Sequence, residues 1–558
     1  MKLAKRIGVI SLAAAMSLSL VACGSKTETT SPATSADTAA AKGGTLNVMV
    51  EVEVASLDPQ VATDGTSFEV IADYTDGLKQ MDESGKAVDA LCANEQVSSD
   101  GLTYTFKIRD DAKWSNGDPV TADDFVFGWQ RAVDPATASE YSYMLSDIGQ
   151  IKNAAEIIKG DKPVTDLGVQ AVDEKTLKVE LNVPVSYFDS LLYFPTYYPV
   201  NRKFYNSLST GTFGTSPSTV LANGAFILDS YEPAASSFSL KKNSDYYNAD
   251  KVSLDGLNYQ VIKDPQQALM SYQNGDLDLV KLSGDQVDQV KDDKELKVVG
   301  AGYLWYITMN GHDVAALNNA NMRLAITNAI DRESIVTDVV KDGSVATYTA
   351  VPPQFATGPD GTDFSADQKK FSDVCSDDAS KAKTYYDKAC QELGTSKFSF
   401  DLLVEDQTET QNVAAVLKEQ IEKNLPGVTL NLKVEPKKQR VEDIQNGKYQ
   451  VCLTRWGPDY ADPMTYLGMW VTENDNNYGL WSDKDYDALI ADCTTGKYVT
   501  DAEGRWKALG DAEKIVMDQA VIAPVYTKAD ANMIKSNVKN IEFHPCALNR
   551  VYKDTTKG

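Results

Sequence analysis

The sequence predicts an α/β protein, because segments with the period of a strand alternate along the chain with segments that have the period of a helix. The clearest example lies between residues 398 and 454, where two strand patterns flank a helical pattern that ends before Pro426. A strand, a helix and a second strand in this order form a βαβ unit, so we expect parallel strands with a right-handed crossover. The chain has 558 residues, enough for about three domains.

The predicted strands are the segments in which apolar and other residues alternate, as they do in a strand with one buried face. They lie at residues 46–50, 104–108, 177–181, 398–404, 428–434 and 449–454. Helices are predicted where apolar residues recur every three or four positions. Such stripes predict helices at residues 321–340, 413–421 and 441–445.

The first residues have the composition of an export signal. A short basic region precedes an apolar stretch at residues 7–22, which is too short for a good membrane span. It ends in Leu-Val-Ala before Cys23, which looks like the lipobox at which bacterial lipoproteins are cleaved before a lipid-carrying cysteine. An ordinary secretory signal with an incidental cysteine is the alternative. Residues 24–42 are almost wholly Ser, Thr, Ala and Gly, a composition typical of a flexible tether, so we expect the folded part to begin near Gly43.

Composition and charge exclude several classes of function. The formal net charge is −26, from 54 basic and 80 acidic residues, so the chain lacks the basic character that nucleic-acid binding requires. A solvated acidic surface explains this charge more simply than a specific cation site does. The apolar content of 42% is that of an ordinary globular protein, and no later apolar run is long enough to span a bilayer.

Sequence patterns for catalysis are missing. The chain has no G-x-S-x-G, no H-E-x-x-H and no phosphate-binding P-loop, and its two histidines are His312 and His544. Asp459 and Asp462 are a candidate hydrolytic pair, but residues three apart in a proline-bounded turn need not face one substrate bond. We therefore predict that the chain is not an enzyme and that it holds no cofactor and no metal.

Six cysteines follow Cys23, and outside the cytoplasm an even number permits disulfides. They are Cys92, Cys375, Cys390, Cys452, Cys493 and Cys546. No pair has the close spacing of a metal knuckle or of a C-x-x-C redox motif. The sequence leaves a bridge between Cys375 and Cys390 open, and Cys452, inside a predicted strand, is expected to be a small buried residue.

The most informative loop follows the strand predicted at residues 449–454. Its sequence, RWGPDYADP at residues 455–463, holds one guanidinium, two carboxylates and two aromatic side chains, with Gly and Pro to fix the turn. Ligands of open α/β sheets bind outside the carboxyl ends of the strands, which is where this loop begins. A binding loop and a structural turn both fit the pattern, because Asp and Pro are also common turn formers.

Six motifs resemble, in the same order, those of the bacterial family 5 extracellular solute-binding proteins, and most closely those of the oligopeptide binders. The longest is AKWSNGDPVTADDF at residues 112–125. The others are SLDP at residues 56–59, NGAF at 223–226, RLAI and AIDR within 323–332, GPDY at 457–460 and PVY at 524–526. The resemblance covers nearly the whole chain after the tether. It implies a type II periplasmic-binding-protein fold of cluster C, with two lobes, a hinge and an extra inserted domain.

The same resemblance implies how the chain divides. Discontinuous segments form a first lobe that carries the inserted domain, and two hinge strands join it to the second lobe. The motif around Trp114 falls in the inserted domain, where we expect it to fix a turn. The expected boundaries are 1–23 for the signal and lipobox, 24–42 for the tether, 43–75 and 191–301 for the first lobe, 76–190 for the inserted domain, 302–524 for the second lobe and 525–558 for a tail that returns to the first lobe.

The resemblance also implies a peptide-binding site. In the oligopeptide binders an aspartate of the loop pairs with the peptide α-ammonium, and it matches Asp459. Arg455 departs from the pattern of the better-known relatives, where more residues separate an arginine from the aspartate, so its contact with a ligand carboxylate is left open. Asp462 is expected to fix the turn. The expected site residues are Gly65, Thr66, Ser67, Tyr141, Tyr143, Arg455, Trp456, Gly457, Asp459 and Tyr460. For Trp456, Tyr460 and Trp470, a place in the core is the alternative to a side-chain pocket.

The function that the resemblance implies is that of a substrate-binding lipoprotein of an oligopeptide ABC importer. Such a protein captures extracellular peptides in a closing cleft and delivers them to permease subunits. We expect a monomer that touches the membrane only through the lipid on Cys23. It would lie on the extracellular face of the cell membrane, or in the periplasm if a second membrane exists. Signalling-peptide, cell-wall-peptide, nickel and haem binders share the fold and are the alternatives; the scarcity of histidine argues against nickel.

Overall fold

The computed structural model of the chain describes residues 43–82, 85–474 and 476–558. The predicted export signal, Cys23 with its predicted lipid, and the predicted tether lie outside the described residues. Strands and helices alternate over most of the described chain, which confirms the predicted α/β class. In these ranges none of the helices combines the length and the apolar character needed to cross a bilayer.

The described strands are numbered in chain order. They are β1 (Thr45–Val50), β2 (Lys79–Met81), β3 (Ala87–Asp89), β4 (Cys92–Val97), β5 (Thr103–Ile108), β6 (Val169–Asp173), β7 (Thr176–Glu180), β8 (Phe226–Ser230), β9 (Ser237–Lys242), β10 (Gly256–Val261), β11 (Leu279–Leu282), β12 (Leu296–Met309), β13 (Val345–Ala346), β14 (Phe398–Glu405), β15 (Val428–Glu435), β16 (Val451–Trp456), β17 (Ile522–Ile534), β18 (Val538–Lys539), β19 (Glu542–Phe543), β20 (Arg550–Val551) and β21 (Thr556–Lys557).

The α-helices are α1 (Gly65–Tyr74), α2 (Ala122–Val133), α3 (Ala154–Ile158), α4 (Phe188–Leu191), α5 (Arg202–Ser207), α6 (Pro265–Asn274), α7 (Asp285–Val290), α8 (Ala315–Asn318), α9 (Ala320–Asn328), α10 (Arg332–Ser334), α11 (Ala379–Leu393), α12 (Thr408–Asn424), α13 (Lys437–Gln445), α14 (Met464–Leu467), α15 (Lys484–Thr494) and α16 (Ala502–Asp518). Short 3₁₀ turns lie at Val164–Asp166, Pro195–Tyr197, Pro217–Thr219 and Gly468–Trp470. Two π-helical turns lie at Met144–Ile148 and Ile335–Val340.

One large sheet joins the two halves of the chain. Its strand order is β15-β14-β16-β12-β17-β11-β1-β10-β9-β8, and β13 also pairs with β17. The central strands β12 and β17, of 14 and 13 residues, are antiparallel and change register between Gly300 and Leu304. Beyond this point β12 pairs with β16, whereas the other end of β17 pairs with β11. The two long strands therefore belong to both halves of the sheet, and their irregularity lies between the halves.

A separate antiparallel sheet, β4-β5-β7-β6, is formed by residues 92–180. Helix α2 packs against β6 and β7. Trp114 is buried and donates its indole N–H to Asp124 Oδ2 at 3.0 Å. The same oxygen accepts the backbone N–H of Thr121, at 2.9 Å, where α2 begins. The Trp114 motif thus fixes a turn at the start of a helix, which is the role that we expected for it.

The βαβ unit predicted in the second half of the chain is present. Strands β14 and β15 are parallel, with α12 between them in sequence, and they pair in unbroken register from Phe398 opposite Val428. Strand β16 joins β14 on the other side, also parallel. The buried face of α12 contains Val413, Leu417 and Ile421, as its periodicity predicts. The carboxyl ends of three parallel strands therefore meet at one edge.

The prediction of one helix over residues 321–340 is wrong at its centre. Helix α9 ends at Asn328, and the short α10 and a π-helical turn follow. The Asp331 side chain accepts the N–H of Ser334 at 3.1 Å and so caps a new helix start. The Asn328 amide donates to the Val374 carbonyl at 2.7 Å, which ties the end of α9 to another segment. An apolar stripe does not reveal such side-chain caps.

The six cysteines after residue 43 are all free thiols. Cys375 is buried and Cys390 is partly exposed, and no disulfide joins them, so the bridge left open by the sequence is not formed. Cys452 is fully buried in β16, as predicted for a small core residue.

Candidate functional site

The loop predicted to bind a ligand leaves the carboxyl end of β16 at Trp456. The first loop residue, Gly457, has no room for a side chain, because a Cβ built there would overlap the ring of Tyr303 on β12. The next carbonyl, that of Pro458, accepts the N–H of Ala547 at 3.2 Å. The loop is therefore held between a strand shared by both halves of the sheet and the C-terminal segment.

Asp459 lies in the middle of this loop and is only 8% exposed. Its backbone N–H donates to Thr465 Oγ1 at 3.2 Å, and its side-chain Oδ2 accepts the hydroxyl of Tyr143 at 2.9 Å. Tyr143 comes from the segment just before the π-helical turn at Met144–Ile148. The structure thus brings together two of the predicted site residues from distant parts of the sequence.

The electrostatic environment of Asp459 is unusual for a carboxylate. Burial raises its pKa to about 7, and the hydrogen bond from Tyr143 offsets only part of this shift. Across the described part of the chain, no Lys, Arg or His pairs with Asp459. A buried carboxylate normally has a cationic partner, because an unpaired charge in a low dielectric is costly. Asp459 is therefore suited to receive a cation from a ligand.

Asp462, three residues further on, has a different role. Its two carboxylate oxygens accept hydrogen bonds from the two terminal nitrogens of Arg505, at 2.7 and 2.8 Å, in a buried bidentate pair. Oδ1 also accepts the N–H of Met464 at 2.9 Å. Asp462 therefore fixes the turn, as predicted, and its charge is satisfied by Arg505. The two loop carboxylates therefore have different partners, the Tyr143 hydroxyl for Asp459 and the Arg505 guanidinium for Asp462.

Aromatic side chains line the region around Asp459. Tyr141 lies 5.5 Å from Tyr143 between ring centroids, stacks on Phe194 at 5.4 Å and meets the edge of Phe68 at 5.4 Å. Both tyrosines are partly exposed, so one side of this layer is open to solvent. Tyr460, by contrast, is buried.

Three aromatic residues in the second half of the chain were candidates for side-chain pockets, with a place in the core as the alternative. Tyr460 stacks on Tyr187 at 5.0 Å, and Trp470 is buried against Tyr306 at 5.7 Å, so both belong to the core. Trp456 is partly exposed, with its indole N–H 3.5 Å from Thr465 Oγ1. Of the three, only Trp456 keeps a surface for a ligand.

Gly65, Thr66 and Ser67 form the first turn of α1, which Asp64 caps. Ser67 is buried, and its hydroxyl donates to Asp64 Oδ2 at 2.6 Å and accepts the N–H of Ala55 at 3.1 Å. Gly65 and Thr66 are partly exposed. Of these three predicted site residues, Ser67 thus holds the turn together, and the other two keep some surface exposed.

Arg455, the last predicted site residue, is paired within the protein. Its Nη1 donates to Glu405 Oε1 at 2.6 Å, and its guanidinium lies 4.8 Å from the ring centre of Trp305. Burial alone would raise the pKa of Glu405, but the charges of Arg455 and Arg440 outweigh it and hold this pKa below its usual value. Glu405 is the last residue of β14 and Arg455 is the last but one of β16, so both lie at the edge where the parallel strands end.

Sequence reasoning missed the ion pairs along the central strands. On β17, Lys528 pairs with Asp342 at 2.5 Å and with Glu409 at 2.6 Å, while Asp530 pairs with Lys281 at 2.8 Å. These partners are far apart in sequence, so no local pattern indicates them. Tyr303 and Trp305 were also missed, although their alternation with Ile307 in one strand was a usable signal.

The two histidines and the other metal-ligating side chains are spread over the described residues. Over residues 43–82, 85–474 and 476–558, no group of three His, Cys, Asp or Glu side chains is arranged to hold a metal ion. His312 is exposed beside Asp313, and His544 is buried near Glu542. Neither histidine contacts Asp459.

Two long strands are shared by both halves of one sheet, and a loop with a buried carboxylate lies beside them. This arrangement defines a two-lobed solute-binding protein of the type II periplasmic-binding fold. The family of bacterial extracellular solute-binding proteins, family 5, matches residues 86–478, and the chain belongs to this family. The resemblance and the fold class predicted from the sequence are therefore confirmed.

Individual relatives are similar over nearly the whole chain. The dipeptide-binding protein of Lactococcus lactis subsp. cremoris (strain MG1363) is 33% identical over 564 residues, which cover 98% of each chain. A solved substrate-binding domain of an oligopeptide ABC transporter from Bacillus anthracis str. Ames is 37% identical, with a TM-score of 0.81, covering 92% of this chain and 98% of that one. The peptide-bound OppA of Listeria monocytogenes is 33% identical, with a TM-score of 0.80, covering 92% and 99%.

Proposed function

We propose that this protein is the substrate-binding lipoprotein of an oligopeptide ABC importer. It captures extracellular peptides in a cleft between two lobes and hands them to the permease subunits. The relatives named above, a dipeptide-binding protein and two oligopeptide transport proteins, support this class of ligand. No catalytic step is needed for this function, and the loop carboxylates are not arranged for one, since Asp462 is paired with Arg505.

The observation that carries the proposal is the buried Asp459 carboxylate, which has no cationic partner among the residues that the structure describes. A peptide with a free N-terminus supplies the missing cation as its α-ammonium. In a closed, water-poor cleft such a charge-assisted hydrogen bond is strong. Loss of the carboxylate should therefore cost about 2–5 kcal/mol of binding free energy, much of it from the unpaired ammonium.

The rest of the site favours recognition of the peptide backbone over recognition of one sequence. Gly65, in the first turn of α1, and Gly457, in the loop, are partly exposed, and because they have no side chain the exposed groups are backbone with which an extended peptide can pair. Tyr141 and Tyr143 present an aromatic layer with one open side. Roomy pockets with bridging water accept different side chains at little cost.

The lobes that we propose follow the boundaries expected from the sequence: residues 43–75, 191–301 and 525–558 for the first, with residues 76–190 inserted, and 302–524 for the second. The register change between Gly300 and Leu304 supports a hinge at this point, because an irregular ladder bends more easily than a regular one. We also propose that Cys23 carries the lipid that holds a monomer at the outer face of the cell membrane.

The test is thermal stabilisation of the soluble part, starting at Gly43, by a peptide pool of tripeptides to octapeptides. The protein is first unfolded and refolded to remove any ligand purified with it. Wild type, Asp459→Ala and the exposed-site control Asp110→Asn are each measured with free and with N-acetylated peptides. A rise in melting temperature that is lost on acetylation and in Asp459→Ala, but kept in Asp110→Asn, supports the proposal. No shift with any free peptide would refute it.

A further inference from the structure

A groove separate from the proposed peptide site lies beside the first half of β12, and we call it the β12 groove. Its volume is about 1160 Å³. Its walls come from the start of β12, from the middle of β17, and from the segments 343–355 and 534–545. None of the ten residues predicted to bind peptide lines it. By the boundaries proposed above, residues 343–355 belong to the second lobe and most of the other walls to the first, so both lobes contribute to the groove.

The β12 groove follows a free edge of this strand. The four consecutive residues 297–300 all line it. Because successive side chains of a strand point to opposite faces, a groove lined by four residues in a row meets the strand at its edge. Within the described chain, residues 296–300 pair only with β17, and the second pairing of β12, with β16, begins at Leu304. A Cβ built at Gly300 meets no other atom within 4 Å, so there is open space beside the backbone at this point.

Apolar side chains are exposed along this edge. Val298, on β12, is 46% exposed, and Val345, on β13, is 47% exposed. The partly exposed rings of Phe355 and Phe543 also line the groove. Gly343 leaves room for Val298, since a Cβ built at Gly343 would overlap Val298 Cγ1. Apolar surface that is exposed inside a concave site is typical of a place where another chain docks.

Lysines surround the apolar part of the β12 groove. Four of them have no carboxylate oxygen of the described chain within 4 Å: Lys294, Lys297, Lys535 and Lys539. The ammonium of Lys297 lies 4.6 Å from the ring centre of Phe543, and that of Lys535 lies 3.8 Å from the ring centre of Tyr272. A fifth lysine of the groove, Lys528, is already paired with two carboxylates of the protein. The first four therefore keep their charge available to an occupant.

The two carboxylates that line the groove have partners of their own. Glu295 accepts the hydroxyl of Tyr272 at 2.7 Å and the backbone N–H of Ser536 at 2.6 Å. Glu542 Oε2 lies 3.4 Å from His544 Nε2. Four lysines against two glutamates leave an excess of positive charge here, although the formal net charge of the whole chain is −26. This local reversal favours an acidic occupant, because the acidic surface elsewhere repels one.

We propose that the β12 groove docks an extended, acidic segment of a partner protein, which adds as a strand to residues 296–300. Backbone hydrogen bonds hold such a segment, apolar side chains at alternate positions meet Val298 and Val345, and acidic side chains between them meet the lysines. Since both proposed lobes contribute walls, the bound segment contacts both. Lysines on a free strand edge also serve in proteins to prevent pairing, and that role predicts that no segment binds. The two readings are separated by a binding experiment.

The probe is a synthetic hexapeptide of alternating Val and Glu, amidated at its C-terminus and carrying fluorescein on its N-terminus, so that it has no α-ammonium for Asp459. Two matched probes replace Glu by Lys, or N-methylate the two central residues to remove one backbone donor from each edge of the strand. Fluorescence anisotropy at about 0.15 M salt, which screens distant charges, measures binding to the refolded chain from Gly43. The variants are Lys297→Glu/Lys539→Glu, the matched control Lys448→Glu/Lys484→Glu at exposed lysines outside the groove, and Asp459→Ala.

We expect wild type to bind the Val-Glu probe saturably, with a dissociation constant below about 100 μM. The constant should rise about tenfold or more in Lys297→Glu/Lys539→Glu and for the Lys and N-methylated probes, and stay within about twofold in Lys448→Glu/Lys484→Glu and in Asp459→Ala. Absence of saturable binding would overturn the proposal and favour a protected strand edge. Equal losses in the two double variants, or equal binding of the N-methylated probe, would also overturn it, because charge alone would then explain the binding. Loss of binding in Asp459→Ala would place the probe in the peptide site instead.

Discussion

The hydroxyl of Tyr143 donates a hydrogen bond of 2.9 Å to Asp459 Oδ2, although 316 positions separate the two residues in the chain. This bond connects the segment before the first π-helical turn to the loop after β16. Because its donor is a neutral phenol, it leaves the negative charge of the carboxylate uncompensated. Burial then raises the pKa of Asp459 to about 7, so the protonation of the proposed anchor changes in the physiological range.

Peptide affinity should therefore rise with pH up to about 7 and then level off. In the ligand-free protein Asp459 is protonated below its raised pKa, whereas an α-ammonium beside it favours the ionised form. Below about pH 7, binding must release the proton, so the dissociation constant should fall roughly tenfold for each unit of pH gained. Calorimetry between about pH 5 and pH 8 measures this slope, with an amidated peptide that has a free N-terminus and uncharged side chains.

The control for this profile is Asp459→Asn, which should bind weakly and show no slope below about pH 7. Titrations in buffers of different ionisation enthalpy should also reveal one proton released per peptide near pH 6 by wild type and none by the variant. Affinity should decline again above about pH 8, where the peptide α-amino group loses its charge. The same slope in both proteins would show that another group titrates.

Sequence patterns predicted much of the part of this site that the second half of the chain contributes. The alternation in β14, β15 and β16, and the apolar face of α12, were enough to place Asp459 at the carboxyl end of a parallel strand. Strand periodicity is a local signal, so it can be recognised in the sequence without knowledge of the tertiary fold. The motifs shared with the solute-binding proteins then supplied the role of the loop.

The hydrogen-bond and ion-pair partners of the site residues could not be predicted in the same way. The bond from Tyr143, the pairing of Arg455 with Glu405 and that of Asp462 with Arg505 all join residues that are distant in sequence. Each depends on how strands and helices are arranged in space, which no period of two or 3.6 residues records. For Ser67, the motif suggested that its backbone contacts a ligand; the bond from its hydroxyl to Asp64 does not test this, so the contact stays a prediction.

Removal of the Tyr143 hydroxyl should move the pH profile. The hydrogen bond from Tyr143 lowers the pKa of Asp459, so Tyr143→Phe should raise this pKa further above its ordinary value. We expect the midpoint of the affinity profile to shift to higher pH, with a greater loss of affinity at pH 6 than at pH 8. The control is Tyr385→Phe, because the hydroxyl of Tyr385, on α11, donates to the backbone carbonyl of Asp373 at an exposed position. A uniform loss at all pH values would show that Tyr143 acts by packing alone.

Above neutral pH, the ligand-free Asp459→Asn variant should have a larger free energy of unfolding than ligand-free wild type. A carboxyl whose pKa is raised in the folded state contributes its full stability below the unfolded value, near 3.8, and loses it as the pH rises through about 7. The loss for wild type amounts to roughly 4 kcal/mol at most, at about 1.36 kcal/mol per unit. Urea unfolding at about pH 4.5 and pH 8 should show this decline in wild type and in Asp110→Asn, and a smaller one in Asp459→Asn. Equal declines in all three would argue against an unpaired charge.

Gly457→Ala should disturb the loop itself. A Cβ at this position overlaps the ring of Tyr303, which is fixed in β12, so either the loop or the strand must shift. Overpacking of this kind typically costs about 1–3 kcal/mol of stability. Because Asp459 lies two residues further along the same loop, its carboxylate should also be displaced, and peptide affinity should fall together with stability. Urea unfolding and calorimetry on the same protein sample measure the two effects.

Gly510→Ala is the matched control, because a Cβ at this position in α16 meets no other atom. Alanine is favoured over glycine inside a helix by roughly 0.5–1 kcal/mol, so this variant should be slightly more stable and bind peptides normally. The comparison of the two variants separates the effect of replacing a glycine by alanine from the effect of the steric overlap with Tyr303. If Gly457→Ala is as stable as wild type and binds peptides equally well, then the loop is free to move away from β12, and the position of Asp459 does not depend on this contact.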